Sequence, residues 1–298
     1  MTPVIAVVIA TKDRAGFLEH ALDSLASQTL AAPFETIVAD NGSSDATREV
    51  VAHFAERAPC RVEYVYEPEP NRGRARNRAV AAARAGLIAF CDDDVKAPPG
   101  WLTAHVAAHA GATPRIVNGP ILNVPSYDSE PKATAANFSR ASLCTCNASV
   151  PRASFESVGG FDETFDLYGW EDSELGLRLR EAGAGWKFAW DAAIWHVKPP
   201  AYDTLDAQTR KAIEKARMAR RFLEKHPSRR ARMATGAHAL NLLRARMLPE
   251  WLPAALAGIA ADTRTPSWLK AVARAQLLDT IYARELVRTL EKPASSKP

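Results

Sequence analysis

Residues 86–94 read Gly-Leu-Ile-Ala-Phe-Cys-Asp-Asp-Asp, a short apolar run that ends in three consecutive aspartates. A run of this kind predicts a buried strand. In open α/β sheets, ligands bind in the crevice beyond the carboxyl ends of the strands, where these carboxylates would lie. Three adjacent carboxylates repel one another at neutral pH, and a hard divalent cation would neutralise them. The stretch indicates a cation site at a sheet edge, whereas an Asp triplet by itself is equally consistent with a solvated turn.

Strand and helix patterns alternate four times in the first 91 residues. Strands are predicted over 4–10, 35–40, 62–66 and 87–91, with helical spacing of apolar residues between them. This alternation predicts a parallel sheet covered by helices on both faces. Further along, the pattern predicts helices over 101–110 and 172–182, strands over 116–120 and 143–150, and a long loop over 121–140. A last strand over 194–197 is expected to close the domain at the edge of the sheet.

The charge of the chain is distributed unevenly. Its net charge is +4, yet residues 1–206 hold 19 Lys and Arg against 27 Asp and Glu, while residues 207–298 hold 19 against 7. We therefore expect two domains, 1–204 and 205–298, the second basic and helical. Four prolines are predicted to divide the second domain into three or four helices: Pro227, Pro249, Pro253 and Pro266.

Several classes of protein are disfavoured by composition. No apolar run approaches the ~20 residues that span a bilayer, and the N-terminus lacks the basic start of a signal peptide. The cysteines show no regular framework: Cys60, Cys91, Cys144 and Cys146. We expect reduced thiols in a cytoplasmic protein.

The basic second domain has two possible roles. It either packs on the first domain, where it shapes an acceptor groove or an oligomer contact, or lies on an anionic bilayer at the inner face of the membrane.

Two further clusters carry polar chemistry. Asp40 ends a predicted strand before an Asn-Gly turn, and Thr11 ends the strand before it. A carboxylate at that edge can accept the N–H of a nucleotide base, or it can satisfy its own backbone as an Asx turn. Residues 71–78 contain four arginines. Some of them are expected to bind phosphate oxygens or a nucleobase. The alternatives are a solvated basic helix face and a surface patch that binds nucleic acid. All four cannot contact one diphosphate, because successive helix positions face different ways.

The most specific stretch is residues 160–180, which contains Gly-Phe-Asp-Glu and then Tyr-Gly-Trp-Glu-Asp. Together with residues 40–45, 75–77 and 92–94, it resembles the family 2 glycosyltransferases of the GT-A fold over roughly residues 4–198. The resemblance implies an α/β, Rossmann-like domain with a mostly parallel sheet flanked by helices. A helical C-terminal region would follow it.

The resemblance also implies roles for individual residues. Asp172 would be the general base, and Glu171 would be a second catalytic residue that orients the helix start or the acceptor. A Mn²⁺ or Mg²⁺ ion would bind to Asp92, Asp94 and His196, although a lone histidine is also commonly structural. The nucleotide-sugar donor would contact Thr11, Arg14, Asp40, Arg74, Arg76, Asp92, Asp93 and Trp170. Either Arg74 or Arg76 would face the diphosphate, and Trp170 would stack on a sugar or serve as a core aromatic.

The implied activity is inverting transfer of a sugar to a hydroxyl acceptor, a glycan or a lipid-linked or cell-envelope glycoconjugate. A UDP-sugar is the favoured donor; dTDP and GDP are alternatives. The helix N-terminus is expected to keep Asp172 ionised. The rivals are a sugar-phosphate nucleotidyltransferase, which would need a Gly-rich phosphate loop after the first strand, and a non-catalytic binder of nucleotide sugars or nucleic acid. The acidic first domain would repel a polyanion, so no nucleic-acid partner is expected.

Overall fold

The computed structural model describes residues 2–111, 113–131, 143–199 and 204–291. The chain divides into two compact units. The first consists of Met1–Asp166 and Glu171–Pro200, and the second of Leu167–Trp170 and Ala201–Pro298. The segment Leu167–Trp170 therefore belongs to the second unit, although it lies within the sequence of the first.

A seven-stranded sheet forms the centre of the first unit. Its spatial order is β3 (Arg61–Tyr66), β2 (Phe34–Asp40), β1 (Ile5–Thr11), β4 (Leu87–Asp92), β8 (Asn147–Pro151), β6 (Arg115–Asn118) and β9 (Gly185–Phe188). Strands β3, β2, β1 and β4 pair in parallel, as do β6 and β9, whereas β8 is antiparallel to both of its neighbours. The predicted mostly parallel α/β architecture is confirmed.

Helices cover both faces of this sheet. Successive side chains of a strand point to opposite faces. Ile5, Val7 and Ile9 of β1 accordingly pack in one core with α1 (Ala15–Ala26), α2 (Thr47–Arg57) and α4 (Trp101–Ala108). Ala6 and Val8 pack in the other core with α3 (Arg72–Ala82), α5 (Arg152–Ser157) and α6 (Glu171–Glu181). Burial on both faces explains why β1 reads as a continuous apolar run.

The register brings polar residues to one edge of the sheet. Thr11 lies opposite Asp40, and Ala10 lies opposite Asp92. Because β1, β2 and β4 are parallel, their carboxyl ends meet at that edge. The structure therefore has the acidic edge that the alternation of strands and helices predicts.

A small second sheet corrects two predictions. Its order is β5 (Val95–Lys96), β10 (Ile194–Val197) and β7 (Ile121–Val124). The strand predicted over 194–197 as an edge strand is therefore central in this sheet. The predicted loop over 121–140 begins with β7, because four residues are too short a run for periodicity to distinguish strand from loop. Residues 132–142 of that loop lie outside the described residues.

The described part of the second unit contains five helices, rather than the three or four predicted. These are α7 (Leu205–Lys225), α8 (Arg229–Thr235), α9 (Ala239–Met247), α10 (Leu252–Ala261) and α11 (Ser267–Glu291). Gly236, with φ at 73°, ends α8 where no proline marks a boundary. Pro253 instead lies in the first turn of α10, where its missing N–H costs nothing. Among the described helices, none combines the length and apolar composition that a membrane crossing requires.

Candidate active site

The three aspartates after β4 have a built-in counter-charge. Arg14 Nη1 lies 2.9 Å from Asp93 Oδ1, and Arg14 Nη2 lies 2.8 Å from Asp94 Oδ2. Thr11 Oγ1 donates a hydrogen bond of 2.7 Å to Asp93 Oδ2. From the sequence, a cation alone is expected to neutralise the triplet. The structure adds Arg14, so the triplet is part of a mixed network of charges.

The two buried aspartates differ in protonation. Burial raises the pKa of Asp93 to about 7, even though Arg14 and the hydrogen bond from Thr11 act to lower it. Burial also acts to raise the pKa of Asp94, but His196 and Arg14 outweigh it and hold that pKa at about 2. Asp94 is therefore ionised at neutral pH, whereas Asp93 is protonated in a substantial fraction of the molecules.

Three predicted cation ligands lie together. His196 Nε2 is 3.1 Å from Asp94 Oδ1, close enough to lower the pKa of that carboxyl, although this buried oxygen has no hydrogen bond of good geometry from the described residues. Ligand atoms of Asp92, His196 and Cys146 all lie within 4.8 Å of one another. A carboxylate, an imidazole and a thiol this close together, with the Asp94 carboxylate beside the imidazole, fit a divalent cation. Cys146 was not predicted as a ligand, because only the pairing of β8 with β4 brings it beside Asp92.

Asp172 lies in the first turn of α6, directly after Glu171. Its Oδ2 accepts hydrogen bonds from the backbone N of Thr145 (2.8 Å) and from Thr145 Oγ1 (2.9 Å). Its Oδ1 is buried and accepts no hydrogen bond from the described residues. One oxygen is therefore fixed and the other is available to a ligand. No sequence signal pointed to Thr145 as the partner of this carboxylate.

The expectation that the helix N-terminus keeps Asp172 ionised is wrong. Burial and the adjacent charge of Glu171 raise the pKa of Asp172 to about 7, and the nearby Arg76 and the Thr145 hydrogen bonds lower it only in part. A helix dipole is worth up to ~1 kcal/mol near the surface. Burial of a carboxylate shifts its pKa by an amount that corresponds to a larger free energy than this.

The structure distinguishes Arg74 from Arg76. Arg76 is buried, with its Nη2 3.5 Å from Asp92 Oδ1 and its guanidinium 5.7 Å from the centre of the Phe161 ring. Arg74 instead lies 2.8 Å from Glu69 and 3.1 Å from Glu163. Arg76 thus faces the acidic cluster from α3, and Arg74 is engaged by other carboxylates.

Unsatisfied polar atoms concentrate in this region. Five buried side-chain atoms in the described part of the chain have no hydrogen-bond partner, and four of them belong to Arg76, Asp94, Glu171 and Asp172. A buried polar group without a partner costs about 1–3 kcal/mol. Such groups need an explanation, and a bound ligand or ion supplies one.

Two other residues that were predicted to contact the donor, Asp40 and Trp170, are held by contacts within the protein. Asp40 Oδ1 accepts from the backbone N of Ser43 at 2.7 Å, as an Asx-type turn does, and its Oδ2 accepts from the hydroxyl of Tyr64 at 2.6 Å. Trp170 belongs to the second unit, where its Nε1 donates to the carbonyl of Lys215 and its ring lies 5.1 Å from that of Phe222. Those contacts match the alternative of a core aromatic. Base binding by Thr11 and Asp40 stays a prediction.

We expect Asp172→Asn to raise the midpoint of thermal unfolding, and to raise it more at about pH 8.5 than at about pH 5. The folded pKa of Asp172 lies above its ordinary value, so the native state binds the proton more tightly than the unfolded chain. The wild type therefore loses stability as pH rises from about 4 to about 7, and an asparagine cannot ionise. An Asn carboxamide oxygen can still accept from Thr145.

The matched control is Asp45→Asn, because hydrogen bonds from Thr47 and Ala15 outweigh burial and lower the pKa of Asp45. Its carboxylate stabilises the fold above its ordinary pKa, so this variant should gain nothing as pH rises. A difference between Asp172→Asn and wild type that does not change with pH would contradict a raised pKa at Asp172.

Comparison with known proteins identifies the family. Residues 6–139 match the model described as glycosyl transferase family 2, and residues 130–196 match that described as the N-terminal domain of galactosyltransferase. A validoxylamine A glucosyltransferase of Streptomyces hygroscopicus subsp. jinggangensis is 33% identical over 267 residues, covering 76% of this chain and 62% of that protein. The chain thus spans about six-tenths of that relative's length.

Two solved structures share the fold. The mannosyltransferase PcManGT from Pyrobaculum calidifontis, in complex with GDP-Man and Mn²⁺, has a TM-score of 0.66 at 19% identity, covering 99% of this chain and 89% of that chain. S. aureus TarS 1–349 in complex with UDP-GlcNAc has a TM-score of 0.57 at 16% identity, covering 98% and 93%. With an α/β sheet of the GT-A type and matches to both sequence models and relatives, the chain belongs to glycosyltransferase family 2.

Proposed function

We propose that the protein transfers a sugar from a nucleotide-sugar donor to a hydroxyl group of an acceptor, with inversion at the anomeric carbon. The observation that carries this proposal is the buried Oδ1 of Asp172, which has no hydrogen-bond partner among the described residues. Arg76 is close enough to Asp172 to lower its pKa, and Arg76 Nη2 lies 3.5 Å from Asp92 Oδ1, which links the base to the acidic triplet. A base and an anion-binding group in one site are what glycosyl transfer from a diphosphate requires.

Asp92, Asp94 and His196 would hold Mn²⁺ or Mg²⁺ in this proposal. When bound, the cation neutralises negative charge that develops on the departing nucleoside diphosphate. Two arginines of the chain add permanent positive charge. Arg14 borders Asp93 and Asp94, and the buried Nη1 of Arg76 has a free donor for a phosphate oxygen. Positive charge held in place before the reaction stabilises the transition state without reorganisation.

Asp172 would act as the general base. Thr145 holds its Oδ2 with two hydrogen bonds, which leaves Oδ1 to accept the proton of the acceptor hydroxyl. As that oxygen bonds to the anomeric carbon, the bond between this carbon and the phosphate oxygen breaks on the opposite face. A pKa of about 7 suits a base that works near neutral pH.

We further propose a UDP-sugar as donor and a glycan or lipid-linked envelope glycoconjugate as acceptor. A carboxylate such as Asp40 keeps acceptor capacity beyond its two observed hydrogen bonds, and it can pair with a pyrimidine ring N–H. The similar solved structures were obtained with GDP-Man and with UDP-GlcNAc, which supports a nucleotide-sugar donor.

The test is nucleotide release from a panel of UDP-, dTDP- and GDP-sugars. We expect release from one nucleotide class with Mn²⁺, loss of release with EDTA, and recovery when Mn²⁺ is added back. A sugar-phosphate nucleotidyltransferase would instead release pyrophosphate from a nucleoside triphosphate and a sugar phosphate. Thermal stabilisation by a nucleotide sugar without any turnover would leave a non-catalytic binder.

Asp172→Asn should lower kcat by about 10²–10⁴-fold, because it removes the proton acceptor. Wild-type kcat/KM should rise with pH to a plateau above about pH 7, since the base works only when deprotonated. Donor binding, measured by calorimetry with Mn²⁺ and UDP, should be preserved in the variant. Substantial turnover by Asp172→Asn would overturn the assignment of the base.

We also propose that the second unit contacts an anionic membrane. It exposes large apolar side chains, with Leu240 75%, Met247 74%, Trp251 66% and Trp268 67% exposed. Helix α10 consists only of apolar residues, yet none of them is buried. The region 207–298 has 19 basic against 7 acidic residues. Exposed tryptophans, apolar surface and basic charge together favour the interface of an anionic bilayer.

Sedimentation with vesicles tests this contact. We expect binding to vesicles of phosphatidylcholine with phosphatidylglycerol, weaker binding to phosphatidylcholine alone, and a reduction by added salt. The double variant Trp251→Ala/Trp268→Ala should bind less, whereas Trp190→Ala, an exposed tryptophan of the first unit, should bind as wild type does. Equal binding to both vesicle types, or a concentration-dependent dimer with no vesicle binding, would contradict the proposal.

A further inference from the structure

Cys146 occupies a position that strand pairing makes part of the cation site. In the antiparallel pair of β4 and β8, Cys91 lies opposite Asn147, so Cys146 comes next to Asp92 beyond the last pair. In the second sheet, His196 lies opposite Val95, the residue after Asp94. Strands β4 and β10 and the turn before β8 thus converge, and ligand atoms of Asp92, Cys146 and His196 lie within 4.8 Å of one another.

The residues on both sides of Cys146 are held firmly. Thr145 is bound to Asp172 through its backbone N and its hydroxyl. Asn147 Nδ2 donates to the carbonyl of Pro120 at 2.9 Å and to that of Ala192 at 2.7 Å, and Asn147 Oδ1 accepts from Trp101 Nε1 at 2.9 Å. The buried Sγ of Cys146 is therefore placed by its neighbours, which is how a ligand is pre-organised.

A second observation points to a cation at this place. Asp94 is 9% exposed, its Oδ1 has no hydrogen-bond partner among the described residues, and this oxygen lies 3.1 Å from His196 Nε2. The imidazole lies at ion-pair distance from this buried carboxylate oxygen but forms no hydrogen bond of good geometry with it, so the arrangement is incomplete in the protein alone. A cation shared by these groups would complete it.

We propose that Cys146 is a ligand of the divalent cation and determines which cation the site prefers. The inference rests on the proposed function in that the same cation serves the reaction. On binding, the metal–sulfur bond forms and the thiol proton leaves to solvent. Mg²⁺ requires oxygen ligands in octahedral geometry, whereas imidazole and sulfur suit first-row transition metals. The site thus selects Mn²⁺, Co²⁺ or Zn²⁺ against Mg²⁺.

Cobalt provides a direct readout of the sulfur ligand. We expect titration of the metal-free full-length protein with Co²⁺ to produce a sulfur-to-metal charge-transfer absorption at one equivalent. Cys146→Ser should abolish it, because a hydroxyl cannot give this transition. Cys60→Ser is the matched control and should retain the band, since Cys60 lies before β3 at the opposite edge of the sheet. Absence of the band in the wild type, or its persistence in Cys146→Ser, would overturn the proposal.

Selectivity gives a second readout. The ratio of Mg²⁺ to Mn²⁺ dissociation constants, measured by calorimetry, should fall roughly tenfold or more in Cys146→Ser, because a hard hydroxyl replaces the soft ligand. Circular dichroism checks that the variant is folded, and Cys146→Ala, with the same expectation, replaces a variant that fails to fold. An unchanged ratio in a folded variant would refute a role of Cys146 in metal selection.

The two proposals can fail separately. Sugar transfer without a cobalt band would contradict only the assignment of Cys146 as a ligand. A cobalt band without any sugar transfer would contradict the proposed function and would still support the ligand set.

Discussion

Charge balance among buried carboxylates is the constraint on which the site depends. Asp93, Asp94 and Asp172 are all removed from water, and burial by itself disfavours the charged form of each. Arg14 and His196 both contact Asp94 and lower its pKa, whereas Asp172 has only Arg76 and the hydrogen bonds from Thr145 to lower its pKa. The outcome is one permanent anion, Asp94, which suits a cation, and two carboxylates with a pKa of about 7, of which Asp172 has an oxygen free for proton transfer.

Strand β8 connects the two halves of this arrangement. It enters the sheet antiparallel to β4, so the segment that precedes it crosses the carboxyl edge. Consecutive residues of that segment have different partners, with Thr145 on Asp172 and Cys146 beside Asp92. Gly119 allows the close packing behind them, because a Cβ there would lie 1.9 Å from the carbonyl oxygen of Ala192. The spacing between base and acidic triplet is therefore set by one short, well-anchored piece of chain.

The start of α6 is under conformational strain. Trp170, directly before Glu171, has φ at 75°, which is uncommon for a bulky residue. Its ring and its N–H are bound within the second unit, while Glu171 and Asp172 belong to the first. Strained residues of this kind concentrate at functional sites and cost about 1–3 kcal/mol, so they persist only where surrounding contacts hold them.

The sequence by itself determined the parallel sheet, the acids at the strand ends and the resemblance to a family, because each of these is written in local periodicity or in short motifs. Only the tertiary structure decided that Arg76 rather than Arg74 faces the acids, that Cys146 lies beside Asp92, and that β10 is central in its sheet. It also decided the pKa of Asp172, which the helix position alone predicted wrongly. The physical reason is that strand pairing and burial depend on residues far apart in the chain, and periodicity reports only on neighbours.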